Sequence, residues 1–132
     1  MMFRDYFEIS TTPGDMLDIT ENVLKSLQNC VMQEGTCNIF IPGSTAGLIL
    51  NEYDQLLLGD LKKFFNYLAD KDKLYAHPDN AHSHLRSSIV GSSKNVPFSQ
   101  GNLILGTWQQ VIFCEFDTSP RKRKVIVTVN GD

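Results

Sequence analysis

The sequence predicts an α+β protein with a largely antiparallel sheet system, two main helices and a possible short third helix. Two amphipathic stretches predict the helices, because their apolar residues recur every three or four positions. The C-terminal third predicts most of the sheet, since short apolar runs there are separated by turn residues. At 132 residues the chain, 1–132, is expected to form a single domain.

The predicted elements alternate between strands and helices before the chain becomes mostly strand. In chain order they are a strand at 2–10, a helix at about 15–31, strands at 38–41 and 46–50, a helix at 54–69, a short helix within 85–91, and strands at 96–98, 103–105, 111–116 and 125–129. In the second helix, Leu61, Phe65 and Leu68 keep helical spacing. The polar stretch 70–73 is interpreted as a solvated loop.

Composition excludes several classes of protein. The net charge of −3 argues against a nucleic-acid-binding protein. The chain has an odd number of cysteines, and they are widely spaced: Cys30, Cys37 and Cys114. This pattern indicates free thiols in a reducing compartment rather than disulfides or a zinc site with thiolate ligands. No apolar run follows the N-terminus, so neither a signal peptide nor a membrane partner is expected. We therefore predict a cytoplasmic protein.

All three histidines lie in one short stretch, YAHPDNAHSHLRSS at 75–88. Neutral imidazole is a common metal ligand, and catalytic zinc sites take three protein ligands and a water molecule. His82 and His84 would share a face on a strand but would point in nearly opposite directions on a helix. A helix capped by Asn80 or Asp79 would therefore prevent His82 and His84 from binding one metal ion, unless the chain is extended through His82. A metal or catalytic site and histidines that only hydrogen-bond in a loop both remain open.

Three other stretches have a functional and a structural interpretation. The small residues 43–47, GSTAG, would present backbone N–H groups to an anion or would form a tight turn. Trp108 would line a pocket for a flat ligand or would belong to the core. Glu115, within an apolar strand, would pair with a histidine or face solvent. The basic run 121–124 is typical of a solvated turn.

Taken together, three stretches resemble one family. They are STAG followed by Asn-Glu at 44–52, NAHSHL followed by glycine at 80–91, and VPFSQGNLILGTWQQVIFCEFDTSPRKRKVIV at 96–127. These are similar to the YjbQ family, UPF0047, which is also described as "secondary thiamine-phosphate synthase". The resemblance covers almost the whole chain, from the first helix to the last strand.

The resemblance implies a small YjbQ-like α+β domain with a largely antiparallel β-sandwich core, which assembles as a homotrimer. It implies weak thiamine-phosphate synthase activity, in which hydroxymethylpyrimidine diphosphate is joined to a thiazole phosphate and pyrophosphate is released. It also implies a histidine pocket that holds a divalent metal, with zinc expected, and a small phosphorylated or anionic ligand. The alternative is a non-catalytic homotrimer that binds a metal or a small ligand.

The resemblance and the chemistry of the side chains together give expected roles for individual residues. His84, His77 and Glu115 are expected to be catalytic, and the metal ligands are expected to be His77, His82 and His84. The residues expected to bind substrate are Ser44, Thr45, Asn51, Glu52, Asn80, Arg86, Trp108 and Gln109.

The chain departs from many relatives at two of these positions. Those relatives carry a histidine where this chain has Gly43, and a small or acidic residue where it has His82. We hypothesise that one imidazole has moved from position 43 to position 82. The hypothesis requires the His82 ring to face the same pocket as His77 and His84.

Overall fold

A computed structural model describes residues 1–132 as two antiparallel sheets and three helices. The strands are β1 (Met2–Thr11), β2 (Met16–Asp18), β3 (Glu34–Phe40), β4 (Ala46–Glu52), β5 (Ser93–Ser99), β6 (Asn102–Leu103), β7 (Gln109–Glu115) and β8 (Arg121–Gly131), and the helices are α1 (Thr20–Gln28), α2 (Gln55–Leu68) and α3 (Ala81–Val90). The larger sheet has the order β1-β8-β3-β5-β6, and the smaller has the order β2-β7-β4. The α+β class and the short third helix are confirmed.

The larger core lies between the two sheets, with α1 packed into it. In β8, Val125, Val127 and Val129 are buried while the residues between them face outward, as the two-residue period of a strand requires. Val23 and Leu27 of α1 belong to the same apolar cluster. Full burial of each such side chain contributes on the order of 1.5–3 kcal/mol.

A second, smaller apolar core lies between the β2-β7-β4 sheet and α2. Leu58 and Phe65 of α2 join Ile112 and Cys114 of β7 there. The strand β7 is therefore buried on both faces, which explains its continuous apolar sequence. The helix begins where the Asp54 carboxylate accepts a hydrogen bond of 3.0 Å from the Leu57 N–H.

The first and third helices differ from their predicted bounds. The segment Met16–Asp18 was expected to be helical but forms β2, because it pairs with residues 112–114 of β7. The helix α1 begins only at Thr20, whose N–H donates to the Asp18 carboxylate at 3.0 Å. The helix α3 begins at Ala81 rather than after the histidines. None of the three helices is long and apolar enough to cross a membrane.

Candidate functional site

A cleft of about 610 Å³ opens between α2, α3 and the turn that joins β1 to β2. Met16, Phe65 and Phe116 form its apolar part. The rings of Phe65 and Phe116 meet edge to face, with centroids 5.1 Å apart. The remaining lining is mostly polar, and more than half of it is charged, which makes this cleft a candidate site for a charged ligand.

Three cations line the helical wall of the cleft, and none of them is in an ion pair. Lys62 comes from α2, Lys71 from the loop after it, and Arg86 from α3. Arg86 is held in place because its Nε and Nη2 atoms donate to the Ala69 carbonyl at 3.1 and 2.9 Å, and Nη2 also donates to Asn66 Oδ1 at 3.2 Å. Burial lowers the pKa of Arg86, but a guanidinium stays charged at neutral pH. The wall therefore carries fixed positive charge.

Glu115 borders the cleft at the end of β7, as half of a buried ion pair. Its side chain accepts from Arg123 at 2.8 Å through Nε and at 2.5 Å through Nη2, and from the Thr11 hydroxyl at 2.6 Å. Burial acts to raise the pKa of Glu115, but hydrogen bonds from Arg123, Thr11 and the Asp117 N–H outweigh it and leave the pKa below its usual value. Glu115 is thus a buried carboxylate with its charge balanced by Arg123, and its catalytic role stays a prediction.

Asp117 closes the same end of the cleft. It pairs with Arg121 at 2.7 Å and accepts from the Thr45 hydroxyl at 3.0 Å and the Asn80 amide at 3.3 Å. Burial again acts to raise its pKa, but the hydrogen bonds, led by the one from the Thr118 N–H, lower the pKa to about 2. Thr45 and Asn80, expected to bind substrate, therefore bond to Asp117 beside the cleft.

Asp15 is the third carboxylate of this wall and has no cationic partner. Its two oxygens accept from the Thr12 N–H at 2.8 Å and the Thr12 hydroxyl at 3.0 Å. The backbone is tied to β7, because the Glu115 N–H donates to the Asp15 carbonyl at 2.8 Å. Gly14 makes the turn possible with a φ of +84°.

The three histidines separate into two groups. His82 is buried in the cleft wall, where burial, followed by the charges of Arg86 and Lys71, lowers its pKa. His77 and His84 lie outside the cleft lining, with ring centroids 5.0 Å apart. No group of three or more histidine, cysteine, aspartate or glutamate side chains is positioned to hold a metal ion.

This separation corrects the expectation of one three-histidine ligand set within the chain. Because α3 already includes both residues, His82 and His84 are about 200° apart around the helix axis. His82 therefore faces the cleft, and His84 faces His77. The structure does not bring the three rings together, contrary to the hypothesis that His82 replaces an imidazole at Gly43.

Position 43 has its own reason to be glycine. Gly43 has a φ of +142°, and a Cβ atom there would lie 2.9 Å from Arg123 Nη1. Arg123 is only 2% exposed and is held by Glu115 and Thr45, so it cannot easily move. Its Nη1 atom is the one buried side-chain nitrogen or oxygen without a hydrogen-bond partner. Ser44, next in the chain, is exposed and does not line the cleft.

Four residues expected to bind substrate lie at the other end of the β4–β7 pair. Asn51 and Glu52 end β4, and Gln109 begins β7 directly opposite Glu52. Glu115 lies six positions further along β7, which corresponds to about 20 Å. Trp108 is 71% exposed, so it is neither a core residue nor part of the cleft.

The cleft also contains charged residues that the sequence did not single out. These are Asp15, Lys62 and Lys71. Each resembles an ordinary surface residue in the sequence. Only the packing of α2, α3 and the β1–β2 turn against the end of β7 brings them together.

The fold and the cleft define a two-sheet α+β protein with one charged cleft beside the end of β7. Comparison with known families is consistent with this class, since residues 5–132 match the model described as "UPF0047 protein YjbQ-like". The chain belongs to the YjbQ/UPF0047 family, as its motifs predicted.

Individual relatives support the same assignment. The chain is 39% identical to the UPF0047 protein YugU of Bacillus subtilis over 128 residues, covering 94% of this chain and 96% of that protein. It is 33% identical to a UPF0047 protein of Methanocaldococcus jannaschii over 135 residues, covering 100% of this chain and 96% of that protein.

Two solved structures share the fold. A crystal structure from Sulfolobus solfataricus, described as a YbjQ-like protein of unknown function, gives a TM-score of 0.91 at 27% identity and covers 100% of both chains. An uncharacterised YjbQ/UPF0047 protein of Clostridium acetobutylicum gives 0.85 at 34% identity and covers 94% of this chain and 99% of that chain.

Proposed function

We propose that the protein binds a small phosphorylated ligand in the charged cleft. The observation that carries this proposal is the set of three cations, Lys62, Lys71 and Arg86, without ion-pair partners in a chain of net charge −3. Arginine and lysine are the side chains that recognise phosphate oxygens. The cleft volume of about 610 Å³ is within the usual range for small-ligand pockets.

The reaction we propose is the secondary thiamine-phosphate synthase reaction that the family resemblance implies. Hydroxymethylpyrimidine diphosphate is joined to a thiazole phosphate, and pyrophosphate leaves. Departure of pyrophosphate is favoured by fixed positive charge near its oxygens, which Arg86 and the two lysines supply. Phe65 and Phe116 offer an apolar surface for the pyrimidine ring.

The first test is the substitution Arg86→Gln, with Arg4→Gln as the matched control on the exposed face of β1. Pyrophosphate affinity is measured by isothermal titration calorimetry, and turnover is measured with both thiamine precursors. We expect Arg86→Gln to weaken binding and turnover at least about tenfold, because it removes a held guanidinium. Unchanged affinity in Arg86→Gln, or no pyrophosphate binding by the wild type, would contradict the proposal.

A second variant separates this cleft from the histidine pair. His84→Ala leaves the cleft lining intact, whereas the family match expects His84 to be catalytic. Turnover that survives His84→Ala but is lost in Arg86→Gln would assign the chemistry to the cleft. The thermal unfolding midpoint of each variant shows whether lost turnover reflects lost folding.

The alternative is a non-catalytic homotrimer that binds a metal or a small ligand, and the His77–His84 contact favours it. Two imidazoles with centroids 5.0 Å apart supply two donors, and zinc usually takes at least three protein ligands. Within one chain the residues do not complete a zinc set. A divalent ion, with zinc expected, would therefore need a further donor from a neighbouring subunit.

Trimer formation is proposed together with that metal. Several large apolar side chains on α2, on α3 and between them are exposed: Leu56, Phe64, Tyr67, Leu74 and Ile89. Burial of such a surface against other copies would be favourable. Analytical ultracentrifugation with and without zinc tests the assembly, and His77→Ala is expected to abolish zinc binding while His82→Ala retains it. A monomer that binds no zinc would contradict this alternative.

We also propose a cytoplasmic location. All three cysteines are free, and burial raises the pKa of the Cys37 and Cys114 thiols to about 12. Thiols of this kind suit a reducing compartment. Fractionation of cells that produce the protein tests the location.

A further inference from the structure

We infer that the ligand of the cleft is dipolar: a phosphate ester that also carries a cationic amine, with the phosphate at Arg86, Lys62 and Lys71 and the amine at Asp15. This inference rests on the proposed phosphate binding, not on the proposed reaction, and adds a second group that a ligand of the cleft carries. Its basis is the charge arrangement of the two walls.

The two walls of the cleft carry opposite charge. The α2–α3 side contributes three cations without ion-pair partners, and the β1–β2 turn and the end of β7 contribute three carboxylates, of which the Glu115 side chain is fully buried. A ligand with negative charge alone would face these carboxylates as well as the cations. A ligand with one charge of each sign matches both walls.

Only one of the three carboxylates is available to a ligand cation. Glu115 is already paired with Arg123 at 2.5 Å, and Asp117 is paired with Arg121 at 2.7 Å. Asp15 accepts hydrogen bonds from Thr12 alone, and these are from neutral donors. The negative charge of Asp15 is therefore the unbalanced one on this wall.

Asp15 is also held in position before any ligand binds. Both of its oxygens are fixed by Thr12, and its carbonyl accepts from the Glu115 N–H at 2.8 Å. Each carboxylate oxygen retains a lone pair for a further donor. A group held in this way loses little conformational freedom on binding, so its contact with an ammonium adds to affinity.

The test compares two phosphate esters of equal size, O-phosphoethanolamine and propyl phosphate, which differ in a terminal ammonium and methyl group. Dissociation constants are measured by isothermal titration calorimetry, together with that of inorganic phosphate. We expect the wild type to bind O-phosphoethanolamine about tenfold more tightly than propyl phosphate, which corresponds to about 1.4 kcal/mol. Low ionic strength is used because salt screens partly exposed charges.

The substitution Asp15→Asn tests whether Asp15 causes the preference for O-phosphoethanolamine. Glu8→Gln, on the exposed face of β1, is the matched control. Asp15→Asn is expected to bind both esters equally, and Glu8→Gln is expected to keep the preference. The thermal unfolding midpoint of Asp15→Asn shows whether the turn is intact. Asp15→Glu is a second variant, which keeps the negative charge.

The outcomes distinguish this inference from the proposed function. Equal binding of the two esters by the wild type would overturn the dipolar ligand and leave phosphate binding intact. A preference that persists in Asp15→Asn would overturn the assignment to Asp15. If none of the three phosphates binds, both the proposed function and this inference are wrong.

Discussion

The charged cleft and the His77–His84 pair both use α3, but they differ in how firmly their side chains are held. In the cleft, Arg86 makes three hydrogen bonds to α2 and its end, and Glu115 is locked to Arg123. His77 is exposed and lies in a loop. The histidine stretch, although conspicuous in the sequence, is therefore the less organised of the two regions. The cleft holds its side chains in place before a ligand binds, which reduces the entropic cost of binding.

The largest effect is expected from the ion pair that supports the cleft. Arg123→Ala should lower the free energy of unfolding by about 3–5 kcal/mol, because it leaves the Glu115 carboxylate buried without its partner. Arg121→Ala, which removes a partly exposed partner of Asp117, should cost about 1 kcal/mol or less. Urea denaturation measures both, and similar losses would mean that the cleft is not held as firmly as the buried pair indicates.

Acid should weaken the cleft through Asp117. The pKa of Asp117 is lowered to about 2 in the folded protein, whereas an unfolded aspartate titrates near 3.9. Its contribution, on the order of 2 kcal/mol, is present above pH 4 and is lost as the pH falls from about 4 to about 2. Urea denaturation across this range should show the loss in the wild type and a much flatter dependence in Asp117→Asn. Parallel curves would refute this assignment.

Gly43→Ala tests whether position 43 can carry a side chain at all. We expect a loss of about 1–3 kcal/mol, because the new Cβ atom would meet Arg123 Nη1 at 2.9 Å at a strained φ of +142°. Gly59→Ala is the control: its Cβ atom would meet nothing within 4 Å inside α2, and it should stabilise by about 0.5–1 kcal/mol. A neutral Gly43→Ala would reopen the possibility of an imidazole at that position.

The smallest effect tests the burial of His82 by pH. Burial lowers the pKa of His82, so the folded state favours the neutral ring. The contribution of His82 to the free energy of unfolding is therefore complete above the unfolded pKa of about 6.5, and it is lost as the pH falls below that value toward the folded pKa. The free energy of unfolding from pH 8 to pH 5 should depend less on pH in His82→Gln than in the wild type. The same slope in both proteins would contradict the burial of His82 in the cleft wall.

The motifs were enough to identify the family, and local periodicity was enough to predict most elements. The alternation of Val125, Val127 and Val129 predicts the core face of β8, and the spacing of Leu61, Phe65 and Leu68 predicts α2. Both signals are local, because a strand or helix repeats over a few residues whatever it packs against.

Local signals failed where long-range pairing decided the outcome. Met16 keeps helical spacing with the residues after it, yet Met16–Asp18 becomes a strand because β7 offers a partner almost a hundred residues away in the chain. Glu115 was singled out, but its pairing with Arg123 required the turn between β7 and β8, which lie in different sheets, to bring the two side chains together.

The sequence by itself determined the family, the α+β class and most of the helices and strands. Only the tertiary structure decided which way each histidine faces and which charges meet. His82 turns into the cleft because α3 begins at Ala81, and Lys62 and Asp15 share that cleft because α2 packs beside the β1–β2 turn. The apolar periodicity of a helix or strand depends on neighbouring residues in the chain. A site consists of residues from distant parts of the chain that only tertiary packing brings together.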